Sequence, residues 1–249
     1  MTCLADYNKH VSSEGANRLL WLDASRTLAL LAMVVFHFAR DLEFFGVLPS
    51  GVTMTGGWAL FARVIAGFFL FFSGVSLIVA HGSGLRFHAW AKRLAMLVLA
   101  ALLVSVGTYV AFPESYVYFG ILHVIAACSL IGVLMIAAPA WALIVSACLV
   151  LVADAYLGRQ VFASPWMTWT GLSSTVRPSL DFLPLVPWLA PFLMGMAFAK
   201  LVPMRGVFGT MQATRLVTAM TWPGRNSLAV YLCHQPVLLA TIWAGTTII

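Results

Sequence analysis

The chain has 249 residues, of which 62% are hydrophobic and 9% charged, with a mean hydropathy of +0.97. A soluble domain carries roughly 25% charged residues, so the composition excludes one and predicts an all-α, polytopic transmembrane helix bundle. The formal net charge of +6 sits in short loops between apolar runs, a pattern that sets membrane orientation and does not signal nucleic-acid binding.

Residues 1–22 read as a cytoplasmic amphipathic lead-in containing Lys9 and Arg18, and residues 23–249 as a single bundle. No apolar core with a cleavage site precedes the first span, which is expected to act as its own insertion signal. Seven apolar segments follow, at about 26–45, 58–80, 92–111, 117–137, 139–157, 185–202 and 227–248. Each is near the roughly 20 residues that a span needs. Ten basic residues fall in the amino-terminal segment and the second–third and sixth–seventh loops, among them Lys200, Arg205 and Arg215. Four fall on the other side: Arg40, Arg63, Arg159 and Arg177. That bias predicts about seven spans with the amino terminus inside and the carboxyl terminus outside. The longest connection, at about 158–184, is then external. It carries Trp166, Trp169, Arg177 and Asp181 and is long enough to cover a site. Gly67 and Gly74 are expected to permit close helix approach. Cys128, Cys148 and Cys233 read as small buried hydrophobes, and with Cys3 they form no zinc pattern, so no metal is expected.

The first span carries a polar stripe. Asp23 and Arg26 lie at its start, and His37, Arg40 and Asp41 near its end. Eleven helical steps make about three turns, so Arg26 and His37 share a face, roughly 16 Å apart. Such a stripe lines a packed interior or a wet cavity, and ionisable groups there are functional candidates. His37 is the candidate general base, with Asp41 at i+4 to fix its tautomer. The alternative for His37 is a hydrogen-bonded packing residue. Counting from span ends puts Arg63 and His123 at a depth similar to His37, where either would stabilise an oxyanion, with Asp181 above. The last span carries a second constellation, from Gly224-Arg225-Asn226-Ser227 to Cys233-His234-Gln235-Pro236. Pro236 breaks the backbone ladder beside His234, in the inner half of the bilayer. Arg225 is level with Arg26, and two guanidiniums at one cytoplasmic mouth suit a phosphate-bearing ligand. Asp23, Arg26, Arg225 and His234 therefore form the candidate ligand-binding set. For Lys200, Arg205 and Arg215, simple positive-inside anchoring is the stronger reading.

The chain resembles bacterial members of the heparan-alpha-glucosaminide N-acetyltransferase catalytic domain family. The matching stretches are Leu22-Asp23-Ala24-Ser25-Arg26 to Phe36-His37-Phe38, Phe69 to Ser76, Tyr118 to His123, Pro184 to Trp188, and Gly224 to Pro236. The Arg26–His37 spacing also resembles that of acyltransferase-3 membrane proteins. The resemblance implies a bacterial inner (plasma) membrane enzyme that takes an acetyl group from cytoplasmic acetyl-CoA and delivers it to an extracytoplasmic carbohydrate-like acceptor. Carried over to this sequence, Arg26 belongs to the donor side and His37 to the transfer step. The implied partners are acyl-CoA, the acceptor and membrane lipid, and the reading admits a homodimer. Three rivals have discriminating tests. A transporter or channel along the stripe would show flux without acyl-CoA. A haem carrier ligated by His37 and His123 would show a Soret band. An inert scaffold has little reason to bear buried charge.

Overall fold

The computed structural model describes residues 20–82, 84–202 and 214–248. The expected lead-in up to Arg18, and Arg205, lie outside the described residues. Long apolar runs become helices, two of them with a proline inside (Pro191 and Pro236), and proline or glycine marks many of their ends. In order these are α1 (Leu20–Phe44), α2 (Gly56–His81), α3 (Phe87–Ala111), α4 (Ile121–Leu134), α5 (Ala140–Leu157), α6 (Leu185–Leu201), α7 (Arg215–Met220), α8 (Trp222–Arg225) and α9 (Ser227–Ile248). Pro139 and Pro184 stand immediately before α5 and α6, where a missing N–H costs nothing. Among the described residues there is no strand, only an isolated bridge between Phe162 and Ser173.

Each of the seven expected segments contains a helix. Five of them, α1, α2, α3, α5 and α9, are long and apolar enough to cross a membrane. The others, α4 and α6, are shorter, at 14 and 17 residues. The chain is thus an all-helical, multi-pass membrane protein with five candidate spans.

Two compact units are present, one of residues 39–202 and one of the chain ends, 1–38 with 203–249. In the first unit α6 is the core. Phe192, Leu193, Met196 and Ala197 are buried almost completely, and α2 and α5 supply most of their neighbours. Lipid tails are as apolar as leucine, so dispersion and close approach hold such helices together rather than transfer from water. Gly74 and Gly195 create that approach. A Cβ on Gly74 would overlap the Phe192 carbonyl oxygen, and one on Gly195 the Phe71 carbonyl oxygen. Gly67, the other glycine expected to do this, faces open space. Of the cysteines, Cys128 is buried, whereas Cys148 and Cys233 are exposed. Their apolar neighbourhoods in sequence are helix faces that the chain itself leaves uncovered, where a thiol is still tolerated. Lys200 has a structural partner: its Nζ donates to the Ile136 carbonyl, 2.8 Å away, in the turn after α4.

The 158–184 connection is ordered by its own bonds. Val161 and Phe162 N–H groups both donate to the Leu172 carbonyl, and Ser173 is almost wholly buried. Its last part runs along residues 115–121: Leu180 N–H donates to the Ser115 carbonyl, and Leu183 N–H to the Phe119 carbonyl. Asp181 Oδ2 accepts from the Ile121 N–H at 3.4 Å, at the start of α4, where a carboxylate complements the helix dipole.

Burial pushes the Asp181 carboxyl above the usual carboxylate range, and the Ile121 N–H only partly opposes this. A folded-state pKa raised above the unfolded one means that the native state holds the proton longer. Stability from this group is full below the unfolded pKa and is lost as pH rises through the folded pKa. Asp181→Asn keeps an acceptor for Ile121 and cannot ionise. Melting curves across the acid to neutral range should show wild type falling relative to Asp181→Asn as pH rises; parallel curves would refute the assignment.

Candidate functional site

The site in the chain-end unit starts from one backbone contact. Thr27 Oγ1 donates to the Asp23 carbonyl at 3.0 Å and accepts the Gly224 N–H at 2.9 Å. A side chain at Gly224 would strike the Asp23 carbonyl oxygen, so only glycine lets the α8 turn seat on α1. Arg26 and Arg225 are the neighbours of these two residues in sequence. Arg26 Nη1 pairs with Asp23 Oδ1 at 3.5 Å; the Asp23 side chain is 5% exposed and the Arg26 side chain 24%. The aspartate therefore orients the guanidinium of Arg26. Arg225 is exposed.

A second contact lies further along the same two segments. The His37 and His234 rings have centroids 5.0 Å apart, tilted by 59°. Thr27 and Gly224 are 197 positions apart, and so are His37 and His234. The two segments thus run parallel, in one register, and the histidine level is about 15 Å beyond the arginine level. Counting from helix starts places His234 shallow and His37 deep. The difference disappears because α1 begins seven residues before the level at which α8 meets it.

His234 is oriented locally. Its Nδ1 lies 2.6 Å from the Tyr231 carbonyl. A carbonyl can only accept, so Nδ1 carries the proton and the neutral ring presents its lone pair at Nε2. That Nε2 atom is buried and has no hydrogen-bond partner among the described residues. Pro236, two residues on, offers no N–H to the ladder. An imidazole with a set tautomer and a lone pair shielded from water is the geometry of a general base.

The remaining candidates belong to the other unit. Asp41 is buried and follows His37 by one turn in α1. Arg63 is exposed on α2. His123 holds the beginning of α4: its Nδ1 accepts the Gly120 N–H at 3.2 Å, and its Nε2 meets Ser105 Oγ at 3.2 Å. Ser105 in turn donates to the Val117 carbonyl at 2.7 Å. Both ring nitrogens are occupied in the neutral form, so adding a proton breaks the Gly120 bond. Arg40 is tied down too, donating to Glu43 Oε1 and Thr53 Oγ1, while Glu43 also accepts the Gly51 and Thr53 N–H groups. Among the described residues no three His, Cys, Asp or Glu side chains are placed to hold a metal ion.

Sequence reasoning did not single out Thr27 or Gly224 as the clamp. Their signal was present as a hydroxyl one position after Arg26 and a glycine one position before Arg225, but pairing them requires the register. A family model described as "Heparan-alpha-glucosaminide N-acetyltransferase, catalytic" matches residues 18–236. No curated protein and no solved structure matches the chain.

Proposed function

This chain belongs to the heparan-alpha-glucosaminide N-acetyltransferase catalytic family, a family of membrane acetyltransferases with acetyl-CoA as donor, and on that premise we propose how it divides the reaction between two levels. Arg26, held by Asp23, and Arg225 bind the phosphates of acyl-CoA at the cytoplasmic mouth. The pantetheine arm extends along α1 and α9 to the histidines, a run of about 15 Å that is of the order of its own extended length. There His234 Nε2 removes the proton from the acceptor hydroxyl or amine as that atom attacks the thioester carbonyl. His37 donates a hydrogen bond to the carbonyl oxygen as it gains charge. Collapse of the tetrahedral intermediate breaks the C–S bond. The thiolate leaves and takes the proton from His234, and the acetyl group stays on an extracytoplasmic, carbohydrate-like acceptor.

The observation that carries this reading is the His37–His234 contact, one helical run beyond Arg26 and Arg225. On this reading His234, whose Nδ1 is bonded to the Tyr231 carbonyl, is the base and His37 its partner. Asp41 then acts as a positioning residue one turn beyond His37. Calorimetry of acetyl-CoA binding to detergent-purified protein tests the donor half. Arg26→Ala should weaken binding about tenfold or more, the loss expected for a charge-assisted contact, whereas His37→Ala should bind nearly as wild type. Failure of folded wild type to bind acetyl-CoA, together with solute flux in liposomes, would replace this reading with that of a transporter.

A further inference from the structure

The two short helices at the Gly224 clamp, α7 and α8, carry a feature which the transfer site does not use. An open groove of about 550 Å³ is lined by Arg215, Thr218, Ala219, Trp222 and Pro223. It joins one cation and one hydroxyl to a large aromatic surface, with Trp222 57% exposed. Its walls are braced. Thr221, buried between α7 and α8, donates through Oγ1 to the Val217 carbonyl at 2.8 Å. Asn226 returns its Nδ2–H to the Trp222 carbonyl at 3.0 Å. Two residues after Trp222, the Gly224 N–H is bonded to Thr27, which fixes the groove to the arginine level of α1.

We propose that this groove binds the phosphoadenosine end of the acyl-CoA donor, with the adenine stacked on Trp222 and the ribose phosphate paired with Arg215. This rests on the reading of the chain as an acyl-CoA-dependent transferase. Three properties select a nucleotide. An indole face binds a purine by stacking. A guanidinium pairs with phosphate through two N–H groups. And the groove residue Pro223 directly precedes Gly224, whose N–H is bonded to Thr27 next to Arg26, so one extended molecule could run from this groove to the histidine level without leaving this unit. An anionic lipid headgroup has the phosphate but no purine, and would leave Trp222 without a stacking partner.

The test compares two donors, acetyl-CoA and acetyl-pantetheine, which shares the thioester and arm but lacks the nucleotide. Arg215→Ala and Trp222→Ala should each lower the kcat/KM preference for acetyl-CoA over acetyl-pantetheine by about tenfold or more, mostly through the KM for acetyl-CoA. Trp222→Phe should restore most of the preference, and Arg215→Lys only part of it. Equal losses on both donors, or no loss on either, would overturn the proposal. So would unchanged acetyl-CoA use combined with a changed response to anionic over neutral lipid in nanodiscs, which would make the groove a headgroup site. If wild type transfers from neither donor, the transferase reading fails, and direct titration with 3′,5′-ADP decides the groove separately. Binding lost in both alanine variants supports it, and absence of binding refutes it.

Discussion

His234→Ala is expected to lower kcat for acetyl transfer by about 10²–10⁴-fold, the range for a general base, while acetyl-CoA binding and the melting temperature hold. A structural histidine behaves in the opposite way. His123 has both nitrogens engaged, so His123→Ala leaves the Gly120 N–H and Ser105 Oγ short of a partner, at about 1–3 kcal/mol for a buried group. His234 keeps a buried Nε2 with no described partner, and its removal relieves an unsatisfied atom in an apolar setting. Activity lost without stability lost is therefore its signature. Assays with purified variants in nanodiscs, alongside melting curves, separate the two. Full turnover in folded His234→Ala would move the base back to His37, where the polar stripe of the first span places it.

The second large effect is on folding. Gly195→Ala should destabilise the 39–202 unit by about 1–3 kcal/mol or more, the cost of overpacking a tight crossing. Its new Cβ meets the Phe71 carbonyl oxygen and backbone, and backbone atoms cannot rotate aside as a side chain would. The helices must separate, and Phe192 and Met196, both without exposed surface, then lose contacts. Gly67→Ala in the partner helix is the control, because nothing lies within 4 Å of that position. It should be neutral or slightly stabilising through helix propensity. Thermal unfolding in detergent that ranks the two variants equally would refute the backbone-crossing account.

The helices were legible in the sequence because each apolar run is bounded by breakers or charge: Pro113 follows α3, Pro139 precedes α5, and Pro184 precedes α6. Counting apolar residues could not show that α4 is as short as 14 residues, because the residues that flank it at 117–120 and 135–137 are largely apolar too and only the backbone shows where the helix stops. Arg26, His37, Arg225 and His234 were likewise visible as polar residues at helical spacing in apolar segments. Their grouping was not. Depth counted separately along each span carries no information on the relative shift of two helices, so the level shared by His37 and His234 did not emerge from it.

By itself the sequence determined that this is a multi-pass helical membrane protein, and it determined which ionisable groups lie within its apolar segments. Those follow from local properties: hydropathy, breaker positions and a period of 3.6 residues. Only the tertiary structure decided that Thr27 meets Gly224, that His37 therefore meets His234, and that His234 turns its lone pair inward while His123 spends both nitrogens on α4. Register between distant segments is set by where backbones can touch, here at a glycine 197 positions from its partner threonine, and such a contact has no local signature along the chain.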